Sequence, residues 1–163
     1  LDVLISKKVT DLYGKHKVLN ERELHARHEI RLENYIMKVQ IESRVMGDLA
    51  LNHIIPTAIL YQNKLITNAN GLKGLGLDNS AAIETIEEIS KHIESLKADV
   101  SNMIEARKRV NKEEDIAVKA KLYSSDVKES FFDKIRYAVD KLELLVDDES
   151  WPLVKYREML FLK

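Results

Sequence analysis

The sequence contains no cysteine. Disulfides, thiol nucleophiles and cysteine-ligated metals are therefore excluded, a usage that fits the cytosol. It has only two prolines, five glycines and one tryptophan in 163 residues. So few turn-forming residues leave room for few turns, and the expected architecture is one of long helices. No apolar run approaches the roughly 20 residues needed to cross a bilayer. The net charge of −1 favours neither a phosphate backbone nor an anionic membrane. The opening "LDVLISKK" lacks both a methionine and a secretory pattern. It starts in helical phase at Leu1, Leu4, Ile5, Lys8 and Leu12 with no residue to cap it, as expected of a piece of something larger.

What is present is apolar residues at 45% and charged residues at 33%, arranged with helical periodicity. A first helix is expected to stop near Gly14. "LNERELHARHE" then combines Asn20 as N-cap, Glu23 at the capping-box position and Leu19 with Leu24 as a hydrophobic staple, so a helix begins there. One stripe runs through Leu32, Ile36, Val39, Ser43, Met46, Ala50 and His53. A second, through Ile30, Met37, Ile41 and Val45, implies contact with more than one neighbour. Pro56 removes a backbone donor and crowds the Asn52 carbonyl, which predicts a kink or tight break within "LALNHIIPTAILYQNKLI". The polar Asn52, His53, Gln62 and Asn63 of that stretch are expected to bond helix backbones or neighbouring side chains at the crossing.

"TNANGLKGLGLDNSAA" is the clearest linker. Gly71, Gly74 and Gly76 are expected to end one helix, and Asn79 or Ser80 to cap the next. That next helix carries a seven-residue repeat through Ile86, Ile89, Ile93, Leu96, Val100, Met103, Arg107 and Val110, with charged residues from Glu87 to Lys97 outside. Arg107 inside the repeat calls for a carboxylate or carbonyl partner. Ser124 or Ser125 is the expected cap of a further helix bearing Val127, Phe131, Ile135, Ala138, Leu142 and Leu145. Pro152 suits the first turn of a short closing helix, which Trp151, Leu153, Tyr156, Leu160 and Phe161 would hold against the bundle.

Candidate chemistry is thin. The glycines of "GLKGLG" follow no strand and precede no Lys-Ser/Thr pair, so a plain connection outweighs a phosphate cradle. His25 and His28 lie three apart beside Glu29 but not in a His-Glu-x-x-His order, and Glu21 and Arg31 offer ordinary ion-pair partners. Asp140, Glu143 and Asp147 share a face, but Leu142 and Leu145 hold the apolar stripe, so the carboxylates should face out. No nucleophile, base and orienter can be assembled.

Three blocks carry a resemblance: "IESRVMGDLALNHIIPTAILYQNKLITN", "ISKHIESLKADVSNMIEARKRVN" and "IRYAVDKLELLVDDESWPLVKYREMLF". In order and in the closing Trp-Pro and Tyr-Arg-Glu segment they resemble the C-terminal region of type III glutamine synthetase, from about Leu19 to Lys163. Val154 and the Arg109-Val110 pair depart from that pattern. The resemblance implies a parent enzyme that joins glutamate and ammonia using ATP and a divalent metal such as magnesium. That parent works as a cytoplasmic homo-oligomer of stacked rings, its ligands lying in a preceding catalytic region that has no counterpart here. The expectations are thus an all-α, elongated antiparallel bundle with a Pro-kinked helix and a short C-terminal helix, forming a single domain over 1–163. No catalytic, cofactor-binding or metal residue is assigned in this chain. Its partners would be the catalytic region of the same polypeptide and other subunits, not nucleic acid or membrane. An autonomous coiled-coil interaction module is the alternative, and a metal-dependent helical enzyme a weaker third.

Overall fold

The computed structural model describes residues 2–160, with the side chains of all of these except Tyr156 and Arg157. Among the described residues there are helices and no strands. A 3-10 turn, Asp2–Ile5, leads into α1 (Lys7–Lys15) and then α2 (Glu21–Leu49). A π turn, Ala50–Ile54, joins α2 to α3 (Ile55–Gly74) without a loop. α4 (Ser80–Val110) returns alongside. α5 (Ile116–Leu122), a π segment (Tyr123–Phe132) and α6 (Asp133–Leu145) form a third continuous rod, and α7 is the single turn Tyr156–Met159.

Long-range hydrogen bonds and an ion pair fix how the three rods lie. Gln40 and Ser43 of α2 meet Asn111 and Arg107 at the end of α4, while Gln62 of α3 meets Ile86 and Ser90 near its start. The second rod is therefore antiparallel to the first along its length. Gln40 pairs with Tyr123, an offset of 83, and Lys64 pairs with Asp147 at the same offset, so the third rod is parallel to the first in fixed register. At about 1.5 Å per residue the first rod is roughly 80 Å long, which makes the bundle elongated.

The core follows the predicted stripes. Ile89, Leu96, Val100, Met103 and Val110 of α4 are buried, as are Val127, Ile135, Ala138 and Leu142 of the third rod, and Glu87, Glu88, Lys91, Glu94 and Lys97 are exposed. One cluster runs from Leu32 to Trp151. Leu32, Ile36, Val39, Ala50, Ile54, Ile55 and Ala58 supply the first rod's share, and Leu24 and Ser43 are buried as well. The capping box at Asn20 is complete, with Asn20 Oδ1 accepting from the Glu23 amide at 2.9 Å and Glu23 Oε2 accepting from the Asn20 amide at 2.8 Å.

Several local expectations are corrected. Gly14 lies inside α1, and the left-handed residue after the helix is Lys17 at φ 54°. Val18 N–H reaches the Tyr13 carbonyl and Lys17 N–H the Gly14 carbonyl, the two bonds of a Schellman motif. Gly71 and Gly74 continue α3. Gly76 alone, at φ 73°, makes the equivalent motif through Leu77 and Leu72, and the linker shrinks to residues 75–79. Asn79 stands at the N-cap of α4 without capping it, its amide donating to the Ala69 carbonyl, while Asp78 Oδ1 accepts from the Ser80 amide.

Ser124 and Ser125 cap nothing, because the helix runs through them. The cap is Asp115, which accepts from the Val118 amide. Pro152 lies in an exposed bend four residues before α7, not in its first turn. Leu1 and Phe161 fall outside the described residues.

The proline stretch resolves as a wide turn. Ile55 N–H bonds the Ala50 carbonyl five residues back, the spacing of a π turn. An α-helical turn would drive the Pro56 ring into the Asn52 carbonyl, and the extra residue relieves that contact. It also shifts the helical phase, so burial passes from Ala50 to Ile54, Ile55 and Ala58, while His53 is exposed.

Candidate functional site

A polar group lies where the three rods meet. Tyr123 is fully buried, and its hydroxyl donates to Asn111 Oδ1 at 2.6 Å. Gln40 Nε2 donates to the same oxygen at 2.6 Å and to the tyrosine oxygen at 2.8 Å, closing a triangle with one vertex on each rod or its end. One turn along, the Arg107 guanidinium donates to Ser43 Oγ at 3.3 Å. Its partner is thus a hydroxyl, not the carboxylate or carbonyl expected. Partial burial and the nearby Arg44 lower the Arg107 pKa, since both disfavour its charge. Sequence reasoning missed the triangle because Gln40 and Asn111 lie 71 residues apart and neither breaks the helical pattern.

Of the four polar residues in the proline stretch, Gln62 bridges to α4, donating to the Ile86 carbonyl at 3.1 Å and Ser90 Oγ at 2.5 Å. Among the described residues Asn52 bonds Asp48 on its own rod, and His53 and Asn63 are exposed, so these three do not build the crossing.

The other candidates do not converge. His28 is buried and bonds Asp2 Oδ1 at 3.3 Å, whereas His25 is exposed. Asp140, Glu143 and Asp147 lie at the surface, partly covered, with the Asp140 side chain 43% exposed. Asp140 pairs with Arg136 at 3.3 Å, and Asp147 caps the following turn by accepting from the Glu149 amide and the Ser150 hydroxyl. Burial first, and then the Asp140 carboxylate, raise the Glu143 pKa above its ordinary value. Among the described residues no group of three or more His, Asp or Glu side chains is placed to hold a metal. The N-terminus of α4, where the glycine-rich linker would cradle a phosphate, already holds the Asp78 carboxylate.

Lys155 is the buried charge that periodicity could not reveal. Its ammonium donates to the Glu143 and Val146 carbonyls at the end of α6 and to Asp148 Oδ1 at 2.6 Å, and lies over the Trp151 ring. A cation on the last carbonyls of a helix satisfies them and complements its dipole, so this lysine pins the closing segment to α6. An open cleft of about 350 Å³ between α2 and α5 is floored by Leu32, Tyr35 and Ala120, with Asp2 and Lys121 among its lining residues. Ser124 also lines it, but its hydroxyl donates to Glu129 Oε1 at 2.8 Å, and Asp2 is bonded to His28.

Residues 1–73 match the family described as "Glutamine synthetase C-terminal domain". The chain is 45% identical to a glutamine synthetase of Bacteroides fragilis (strain YCH46), over 90% of this chain and 21% of that protein. It is 26% identical to the type-3 glutamine synthetase of Dictyostelium discoideum, over 97% of this chain and 22% of the relative. It is also 26% identical to a glutamine synthetase of Butyrivibrio fibrisolvens, over 96% and 23%. The chain therefore spans about a fifth of the length of the relatives it matches; it is similar to glutamine synthetases, and its residues 1–73 match the C-terminal domain of that family.

Proposed function

We propose that these residues act as one structural unit that supports the assembly of a type III glutamine synthetase, a cytoplasmic enzyme making glutamine from glutamate, ammonia and ATP. The observation that carries this reading is the 45% identity over nine-tenths of the chain to a protein of which it is only 21%. The rods fit such a role. Their junctions are cross-linked by the Gln40–Asn111–Tyr123 triangle at one end and by Lys64, Asp147 and Ser150 at the other. A stiff bundle of this kind transmits contacts over its length. ATP and the divalent metal belong, on this reading, to the rest of the enzyme. The residues present do not fit either group: the α4 N-terminus is filled by a carboxylate that would repel phosphate, Asp140 of α6 is paired with Arg136, and Asp147 just beyond α6 accepts from a turn amide.

The test compares a full-length enzyme with one lacking this region, by sedimentation and by glutamine formation. Loss of the assembled particle on deletion is expected, and an unchanged particle with full activity would overturn the proposal. In parallel, the 163-residue chain is expected to show no ligase activity. Micromolar Mg-ATP binding by that chain in calorimetry would place a nucleotide site here and contradict the assignment.

A further inference from the structure

The second apolar stripe of α2 does not do what its sequence suggests. Ile30, Met37, Ile41 and Val45 were expected to meet another helix of the bundle, yet they are 54%, 50%, 54% and 51% exposed. At about 100° per residue these four fall within an arc of roughly 80°, on the side of the helix opposite Leu32, Ile36, Val39 and Ser43. The stripe is about 22 Å long. A helix with apolar residues on both faces is ordinarily covered on both. The edge of the open face turned toward α4 carries Arg44, close enough to Arg107 to repel its charge, and no carboxylate pairs with either among the described residues. The open face is therefore apolar apart from Asn34, which falls within the same arc, and cationic on one rim.

Two occupants differ in what they require. A second copy of this chain, meeting α2 through one stripe of this length, would bury less than the roughly 1,200 Å² that a stable free dimer needs. A covalently linked partner needs less, because the tether has already removed most of the cost of association. The relatives supply such a partner, since four-fifths of each lies outside the region this chain matches.

From these observations we infer that the outer face of α2, centred on Met37 and Ile41, is the seat of the remaining part of the same glutamine synthetase polypeptide. The segment that sits there is apolar and brings a carboxylate to Arg44 and Arg107. This rests on the assembly reading above and adds to it the face through which assembly is transmitted.

The four methionines give a direct probe. Met37 is 50% exposed on the open face, Met159 is 48% exposed elsewhere, and Met103 is fully buried. Oxidation by dilute peroxide follows exposure and can be followed at each methionine by mass spectrometry. In the 163-residue chain, Met37 is expected to oxidise quickly and Met103 slowly, the latter showing that the bundle is folded. In the full-length enzyme Met37 is expected to slow by about tenfold or more, toward the rate of Met103. Ile41→Lys in the full-length enzyme is expected to restore fast oxidation of Met37 while Met103 stays protected. Equal Met37 rates in both proteins would overturn the inference. So would a dimer of the 163-residue chain that Ile41→Lys dissociates, because the occupant would then be a second copy. If deletion of the whole region still breaks the particle while Met37 oxidises freely in the intact enzyme, only the choice of face fails. If deletion has no effect, the assembly reading fails instead.

Discussion

Leu96 and Ile93 sit three residues apart in the same repeat of α4, but the bundle treats them differently. Leu96 is fully buried and Ile93 is half-buried against the core. Leu96→Ala is expected to cost about 2–5 kcal/mol, the range for a deleted core aliphatic, and Ile93→Ala clearly less. Urea unfolding of the two variants checks this, and equal losses would mean that the repeat, not the packing, sets the energetics. Glu143 gives a prediction in pH. Its folded pKa lies above the ordinary 4.5, chiefly through burial and then through Asp140. The folded state therefore holds this proton more tightly than the unfolded chain. The resulting stability is fully present below pH 4.5 and is lost as pH rises through the elevated value. Glu143→Gln is expected to flatten that decline, read as the difference between the two stability–pH curves in the window above 4.5.

At the scale of elements, the helix ends separate what a residue prefers from what the chain makes it do. α1 and α3 close with the same pair of Schellman bonds, but the left-handed position is Lys17 in one and Gly76 in the other. A side chain bearing Cβ is strained there by roughly 1 kcal/mol. Lys17→Gly is expected to stabilise the protein by up to about that amount and Gly76→Ala to destabilise it similarly, both measured by thermal unfolding. The capping box at Asn20, the apolar repeat of α4 and the stripe of the third rod were legible in the sequence, because each is a local pattern with one physical meaning. The two π segments were not. Pro56 signalled a disturbance, but whether a helix answers it with a loop, a kink or one extra residue per turn depends on what packs on either side. "YSSDVKESFF" carries residues that cap helices elsewhere, and here Ser130 instead bonds the Ser125 carbonyl five residues back, inside a continuous rod.

For the whole molecule, the closing segment tests whether the bundle holds its own tail. Trp151 is buried in the common core, Leu153 packs against it, and Lys155 caps α6, whereas Leu160 is 79% exposed. Removing residues 151–163 is expected to lower stability by at least the about 3–5 kcal/mol of a lost tryptophan. Exposure of new apolar surface to a hydrophobic dye should accompany it. An unchanged unfolding midpoint would show that the segment serves a surface outside this chain.

The sequence by itself determined the helical class, the main core stripes and the resemblance to glutamine synthetases, because periodicity and long ordered blocks are properties of the chain read one residue after another. Only the tertiary structure decided which of α2's two apolar faces is covered. It also decided that Arg107 rests on a serine hydroxyl, and that Gln40, Asn111 and Tyr123 close a triangle across three rods. Those outcomes depend on the register between distant segments, and a helical pattern fixes the face a residue points from but not the neighbour it meets.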